Sequence, residues 1–313
     1  MSEMFFAYQK PTDEQISAIV EQLYVQARPP AWALIDMALL TPEQRDSLNR
    51  QARWGMPFNA FKATSLEAFG DQAPHLLELP ADTQPLRNAL LYLFRLAGDA
   101  PAISLLRGVD SQVPLQHTFA YMAKVRIEQR KAPVHCRFAD TRVLPELLGC
   151  LTTSQRLRIA FAIQSWYWPT REGALAAWQG AIGATEIKMR DDSSTLQLSV
   201  KQFRRMQHAA EPDSIFLMLC QQTPELVPAV ARGAFHAKLM RMLATAEALG
   251  IKEIKDKLQF VVLSLTCGED FHAVQALQPT WVKVAEGGHL HLLMQAWSDA
   301  LWEQLDACDG KTG

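Results

Sequence analysis

The stretch VHCRFADTRVLPELL, residues 134–148, carries the pattern that decides the fold. Its first residues alternate between apolar and polar side chains, which predicts a short strand. Asp140 then stands where a carboxylate can accept hydrogen bonds from the backbone N–H groups of a turn. Because proline suits the first turn of a helix, a helix should begin near Pro145. The stretch predicts a strand-to-helix corner in which Arg137 and Arg142 lie within reach of the Asp140 carboxylate.

A second alternating stretch comes just before this corner. Val125 and Ile127 alternate with charged residues, and the polar turn 129–133 leads from them into a strand that should end at Phe138. Two alternating runs joined by a turn of about five residues predict a β-hairpin.

The rest of the N-terminal half mixes strand and helix patterns. Short apolar runs predict strands at AWALID (31–36), HLLEL (75–79), ISLLR (103–107) and FAIQSWYW (161–168). Helical spacing and helix-start prolines predict helices over about 13–26, from Pro42, over about 85–97 and from Pro114. These patterns predict an α/β lobe with a small sheet.

The C-terminal third has a helical pattern. Apolar residues recur at helical spacing from Phe235 to Leu249, Gly250 supplies a stop, and further helices are expected at about 213–222, 252–266 and 289–306. The polar, irregular residues 180–195 are the best candidate for a lobe boundary. We therefore expect an α+β protein of two lobes, an α/β lobe over 1–182 and a mainly α-helical lobe over 196–313.

Composition argues against several classes of partner. The chain of 313 residues has 31 basic and 33 acidic residues and a net charge of -2, so no overall field favours nucleic acid or an anionic membrane. The N-terminus lacks the basic region of a signal peptide, and the apolar runs 215–220 and 260–267 are too short to cross a bilayer. We expect a cytoplasmic protein. Its five scattered cysteines form no CxxC pair and should be reduced and mostly buried.

Local motifs give no support for an enzyme or a cofactor site. The chain has no GxSxG, HExxH, GxxxxGK[ST] or GxGxxG motif. We therefore expect neither a catalytic site nor a cofactor. The alternative is an enzyme of unrecognised class in which Asp36 and Asp140 serve as acid and base, which requires the two carboxylates to be paired in a deep pocket with raised pKa values.

A metal site can be drawn from His289 and His291, with Cys267 or His272 as a further ligand. Two histidines separated by one residue point apart on a helix, but they share a face on a strand. Since residues 289–293 are expected to be helical, we expect no metal site.

The tryptophans Trp166, Trp168 and Trp178 form a cluster in the sequence. Aromatic residues are enriched at binding hot spots, so the cluster could be a partner surface. Buried core at the boundary between the lobes is the favoured interpretation.

Several of these pieces, in this order, resemble a family of type VI secretion effector adaptors, also called effector chaperones. The resembling pieces are AWALIDMAL (31–39), APHLLEL (73–79), residues 105–125, CRFADTRVLPELL (136–148) and QSWYW (164–168). The order of residues in RFADTR is the most specific, and the helical segment 248–271 is similar to the family's C-terminal lobe more loosely. The family commonly has proline after the motif aspartate, where this chain has Thr141.

The resemblance implies an adaptor that binds a toxic effector protein and helps to load it onto the valine-glycine repeat spike protein. This role requires no chemical step, and it implies neither a nucleic acid nor a membrane as partner. It requires a grooved surface that covers apolar segments of the effector. The candidate residues for partner binding or for support of the motif are Arg137, Asp140, Arg142, Asp36, Trp166 and Trp168.

Overall fold

The computed structural model describes residues 6–25, 32–50, 54–108, 112–180 and 195–309. The chain divides into two compact units. The N-terminal unit is Tyr8–Ala210. The C-terminal unit begins at Glu211, and Ala7, near the start of the chain, also belongs to its core. The first unit mixes strands and helices and the second is mainly helical, which confirms the predicted α+β class with two lobes.

Strands of the N-terminal unit form two sheets. The described strands are β1 (Trp32–Ile35), β2 (Phe58–Asn59), β3 (His75–Glu78), β4 (Ile103–Gly108), β5 (Lys124–Ile127), β6 (Val134–His135), β7 (Ile163–Pro169), β8 (Leu175–Gln179) and β9 (Leu196–Leu198). Six of them form an antiparallel sheet in the order β2-β3-β1-β4-β7-β8, and the other three form a sheet in the order β6-β5-β9. The four predicted apolar strands correspond to β1, β3, β4 and β7.

The predicted hairpin forms between β5 and β6, which pair antiparallel. Its second strand ends at His135 and not at Phe138 as predicted. The N–H of Cys136 still donates to the carbonyl of Ala123 at 2.8 Å, but the N–H of Asp140 already donates to the carbonyl of Arg137. Residues 137–140 therefore form a turn instead of extending the strand.

The described part of the N-terminal unit also contains seven α-helices, which are interspersed with the strands along the chain. They are α1 (Asp13–Val25), α2 (Pro42–Arg50), α3 (Thr83–Ala97), α4 (Gln112–Ala123), α5 (Leu144–Cys150), α6 (Thr153–Ala160) and α7 (Val200–Ala209). The first five match predicted helix positions, and Gly98 ends α3 with a φ of 59°. The sequence analysis did not predict α6 and α7, although each begins with a capping box, Thr152 with Gln155 and Ser199 with Gln202.

The boundary between the units lies further along the chain than the sequence suggests. The polar residues 181–194 lie outside the described residues. Beyond them, β9 pairs in parallel with β5, and its side chains Leu196 and Leu198 are buried. Because this pairing completes the second sheet, residues 196–210 belong to the N-terminal unit and not to the helical lobe.

The C-terminal unit consists of helices around one apolar core. They are α8 (Glu211–Gln222), α9 (Arg232–Ala248), α10 (Ile254–Thr266), α11 (Gln278–Ala285), α12 (Leu290–Leu293) and α13 (Asp299–Asp309). The predicted apolar stripe on α9 is buried, and Gly250 follows it with a φ of 87°. None of the described helices combines the length and the apolar character needed to cross a membrane.

The prediction of one helix over 289–306 is wrong. α12 has only four residues, and a 3₁₀ turn follows it. α13 then begins at Asp299. Ser298 caps the N-terminus of α13, because its hydroxyl accepts from the N–H of Leu301 at 3.3 Å. His289 precedes α12 in an extended conformation, with φ -90° and ψ 122°. The assumption that His289 and His291 project from one helix is therefore also wrong.

Candidate functional site

The strand-to-helix corner of residues 136–148 is anchored by the carboxylate of Asp140. One carboxylate oxygen accepts from the backbone N–H of Arg142 at 2.9 Å and from Nε of the same residue at 3.0 Å. The other oxygen lies 2.6 Å from Nη2 of Arg142. Asp140 thus caps the turn as the sequence predicts, and a two-point contact with a single arginine compensates its buried charge.

Thr141 gives a physical reason why this chain lacks the proline that is common in the resembling family. Its backbone N–H donates to the carbonyl of Pro101 at 2.9 Å, and its hydroxyl donates to the same carbonyl at 3.1 Å. Proline has no N–H to donate. Thr141 therefore ties the corner to the segment that leads into β4, and α5 starts at Leu144, with Pro145 in its first turn.

Asp36 reaches the same region from the end of β1. Its backbone N–H donates to the carbonyl of Ala102 at 2.8 Å, and its side chain accepts from the N–H of Ala38 at 3.1 Å. The other carboxylate oxygen lies 3.1 Å from Nη2 of Arg137. Arg137 thus pairs with Asp36, and of the two motif arginines only the side chain of Arg142 binds the carboxylate of Asp140 in the described part of the chain.

A cavity of about 200 Å³ lies beside this corner. Its wall combines aromatic and apolar side chains with a few polar groups. The aromatic and apolar lining side chains include Phe61, Phe69, Pro74 and Phe138, and the polar ones include Asp36, His135 and Arg137. Sites for small molecules usually have volumes of about 300–1,000 Å³, so this cavity better suits one side chain of a partner.

The rim of the cavity presents an aromatic pair and a cation to solvent. Phe69 is 41% exposed and stacks on the ring of His135, with ring centroids 4.8 Å apart and planes at 23°. The side chain of Arg137 is 42% exposed although it pairs with Asp36. An exposed aromatic ring next to an arginine is the composition found at protein-binding hot spots.

The predicted tryptophans do not lie at this surface. Trp166 is fully buried, its Nε1 donates to the hydroxyl of Ser104 at 2.9 Å, and its ring packs edge-on against Phe138. Trp168 is buried in the same core. Their burial confirms the favoured interpretation of these two residues as core and contradicts the alternative of an exposed partner surface; the core they complete is that of the N-terminal unit. Trp166 supports the RFADTR motif from the core side, through its contact with Phe138.

The carboxylates of the alternative acid–base pair are bound to different arginines. Burial raises the pKa of Asp36, Arg137 opposes this rise, and the charge of Asp140 adds to it. No hydrogen bond joins the two carboxyl groups in the described structure, and Asp140 does not line the cavity. The geometry does not place the two groups as a pair in one deep pocket.

Cys136 is a buried residue that lines the cavity, and its thiol stays protonated. Burial, together with the nearby Cys150 and Asp140, raises the pKa of its thiol to about 12. Since the thiolate is the nucleophilic form, the protonated thiol is inert at neutral pH. Its burial confirms the prediction for this cysteine.

The aromatic wall of the cavity has no signal in the sequence pattern and was not predicted. Phe61 and Phe69 belong to neither a helical nor an alternating pattern, and Phe69 lies in a 3₁₀ segment, Glu67–Gln72, in which Gly70 breaks the helical conformation. Periodicity gives no signal for such residues. The one available sign of a surface aromatic residue was Phe69 itself, a large apolar side chain among the small and polar residues of EAFGDQ (67–72).

Comparison with known proteins gives one match. Neither the curated proteins nor the solved structures contain a match to this chain. The matching family model starts just before β1 and ends inside α6, and it includes the corner and all the residues that line the cavity. Over residues 31–158 the chain is similar to the family described as "Domain of unknown function (DUF4123)".

Proposed function

We propose that this chain is a cytoplasmic adaptor that binds a type VI secretion effector and aids its loading onto the valine-glycine repeat spike protein. The observation that carries the proposal is the cavity beside the RFADTR corner. It lies wholly within the region similar to the family, and it combines an exposed aromatic ring with an exposed arginine. The order of sequence pieces around the corner resembles effector adaptors.

In the proposed complex, the cavity receives one apolar side chain of the effector. Phe61, Phe138 and Pro74 supply apolar walls, and Phe69 with His135 supplies a flat aromatic surface at the rim. Burying an apolar side chain contributes about 1.5–3 kcal/mol. This is enough to anchor a segment but small enough to allow release during loading.

Arg137 gives the same surface its electrostatic preference. One of its terminal nitrogens binds Asp36, which fixes the direction of the guanidinium group. The half-exposed remainder can donate to a carbonyl or carboxylate of the partner. The preferred effector segment therefore carries an apolar side chain next to an acidic or carbonyl-rich stretch.

Support of the corner is the proposed role of its polar residues. Asp140 and Thr141 are buried, Thr141 donates to Pro101, and Arg142, which is partly buried, binds the carboxylate of Asp140. They are positioning residues for Arg137 and Phe138. The proposed role includes no chemical step.

Affinity capture of the full chain from its native cells tests this proposal. We expect recovery of a toxin encoded beside this gene, together with a valine-glycine repeat spike protein, both identified by mass spectrometry. Recovery of neither protein, under conditions in which the effector is expressed, would overturn the proposal.

A further inference from the structure

Three metal-ligating side chains converge in the C-terminal unit. Asp256 lies on α10, His289 immediately precedes α12, and His291 lies within it. Nδ1 of His289 is 3.2 Å from one carboxylate oxygen of Asp256, and Nδ1 of His291 is 2.6 Å from the other. The two imidazole rings have centroids 5.7 Å apart.

The local fold fixes this convergence. Leu290 lies between the two histidines and is fully buried in the core of the C-terminal unit. This burial anchors His289 and His291 beside the core. Gly288 precedes them in a tight turn, in which a Cβ atom would lie 2.8 Å from the carbonyl oxygen of Lys283. The backbone N–H of His291 also donates to Asp256 at 2.9 Å. The carboxylate is therefore tied to α12 at several points.

Among the described residues, no lysine or arginine pairs with Asp256. Its side chain is 5% exposed, and its partners in the described structure are the two imidazoles and the backbone N–H of His291. The neighbouring Lys257 points to other groups, with Nζ 2.5 Å from Glu211 and 3.0 Å from Glu247. No lysine or arginine in the described structure therefore balances the charge of this carboxylate, and a divalent cation would supply positive charge here.

We propose that Asp256, His289 and His291 bind a divalent transition-metal ion of the Zn²⁺ type. One ligand atom from each residue lies within 4.8 Å of the others, so small side-chain rotations bring each to the roughly 2.0–2.2 Å that zinc requires. Two imidazoles and a carboxylate are ligands that this class of ion accepts. The ion would link α10 to α12.

The site has room for a further ligand. Asp256 and His289 line a cavity of about 300 Å³ together with Glu247 and Glu253. Three protein ligands leave a fourth tetrahedral position, which water or a group from a partner fills. Binding through Nδ1 requires the ring proton of each imidazole to lie on Nε2, so that Nδ1 can offer its lone pair to the ion.

Calorimetric titration of the full chain with Zn²⁺ tests the proposal. The protein is prepared without a polyhistidine tag and stripped with a chelator. We expect one equivalent of Zn²⁺ to bind, and Co²⁺ to give visible absorption bands typical of four or five ligands including nitrogen. In the His289→Ala, His291→Ala double variant we expect affinity to fall by more than about tenfold.

The matched control is His272→Ala, which removes another histidine of the same unit whose Nδ1 contacts the carbonyl of Glu269. It should bind Zn²⁺ as the wild type does. His289→Gln provides a milder variant, because the side chain of His289 is 49% exposed and its loss should leave the fold intact. Absence of one-equivalent binding in the wild type, or equal affinity in the double variant and the wild type, would overturn the proposal.

Discussion

Thr141 shows how one backbone N–H can decide the geometry of the corner. We expect Thr141→Pro to lower the free energy of unfolding by about 1–3 kcal/mol, because the buried carbonyl of Pro101 then loses both of its donors. Thr141→Val is the matched control, since it removes the hydroxyl but keeps the N–H. Urea unfolding should rank the wild type above the valine variant and the valine variant above the proline variant. Equal stability of the two variants would contradict the assigned role of the N–H.

Asp36 supplies a test at the residue scale that depends on pH. Burial raises the pKa of Asp36 in the folded protein, so the folded state holds this proton more tightly than the unfolded state does. The contribution of Asp36 to stability is therefore greatest below its unfolded pKa and falls as pH rises through the folded pKa. Asp36→Asn removes this titration and can still accept from Ala38.

Unfolding of the wild type and of Asp36→Asn in urea, at several pH values from about 4 upward, measures this effect. We expect the stability of the wild type relative to the variant to fall with rising pH and then to level off. A relative stability that rises with pH would mean that the pairing with Arg137 outweighs burial.

At the scale of elements, β9 decides where the N-terminal unit ends. A fragment of residues 8–210 should fold cooperatively, whereas a fragment of residues 8–182 should not, because it lacks β9 and α7 and exposes the apolar edge that Leu196 and Leu198 cover. Circular dichroism with urea titration compares the two fragments. A cooperative transition of the shorter fragment at the same urea concentration would contradict this assignment.

The sequence predicts those elements whose pattern is local. β1, β3, β4 and β7 are short apolar runs, and α3 and α9 repeat their apolar residues at helical spacing before a glycine, so all six were predictable. β9 was not, because three residues gain strand conformation only by pairing with the distant β5.

The same distinction applies to the candidate site. The capping role of Asp140 follows from residues adjacent in sequence, and it was predictable. The pairing of Arg137 with Asp36 joins residues 101 positions apart, and the aromatic wall comes from a third segment. Single-sequence patterns contain no information on such tertiary contacts.

At the scale of the whole molecule, one surface of the N-terminal unit is the proposed binding site for the partner. The residues that define this surface are Phe69, His135 and Arg137, and all lie in the region similar to the family. Phe69 is the most informative of them, because it is 41% exposed and can be changed without opening the core. Val113, on α4, is 55% exposed and does not line the cavity, so it provides a matched control.

The most direct measurement is quantitative capture of the effector by three forms of the full chain: the wild type, Phe69→Asp and Val113→Asp. A charge at position 69 should reduce the amount of effector captured at least about tenfold, since it places a hydrated carboxylate where an apolar side chain is to be buried. Capture by Val113→Asp should match the wild type, and thermal unfolding should show all three forms folded. Undiminished capture of the effector by folded Phe69→Asp would contradict the claim that this surface binds it.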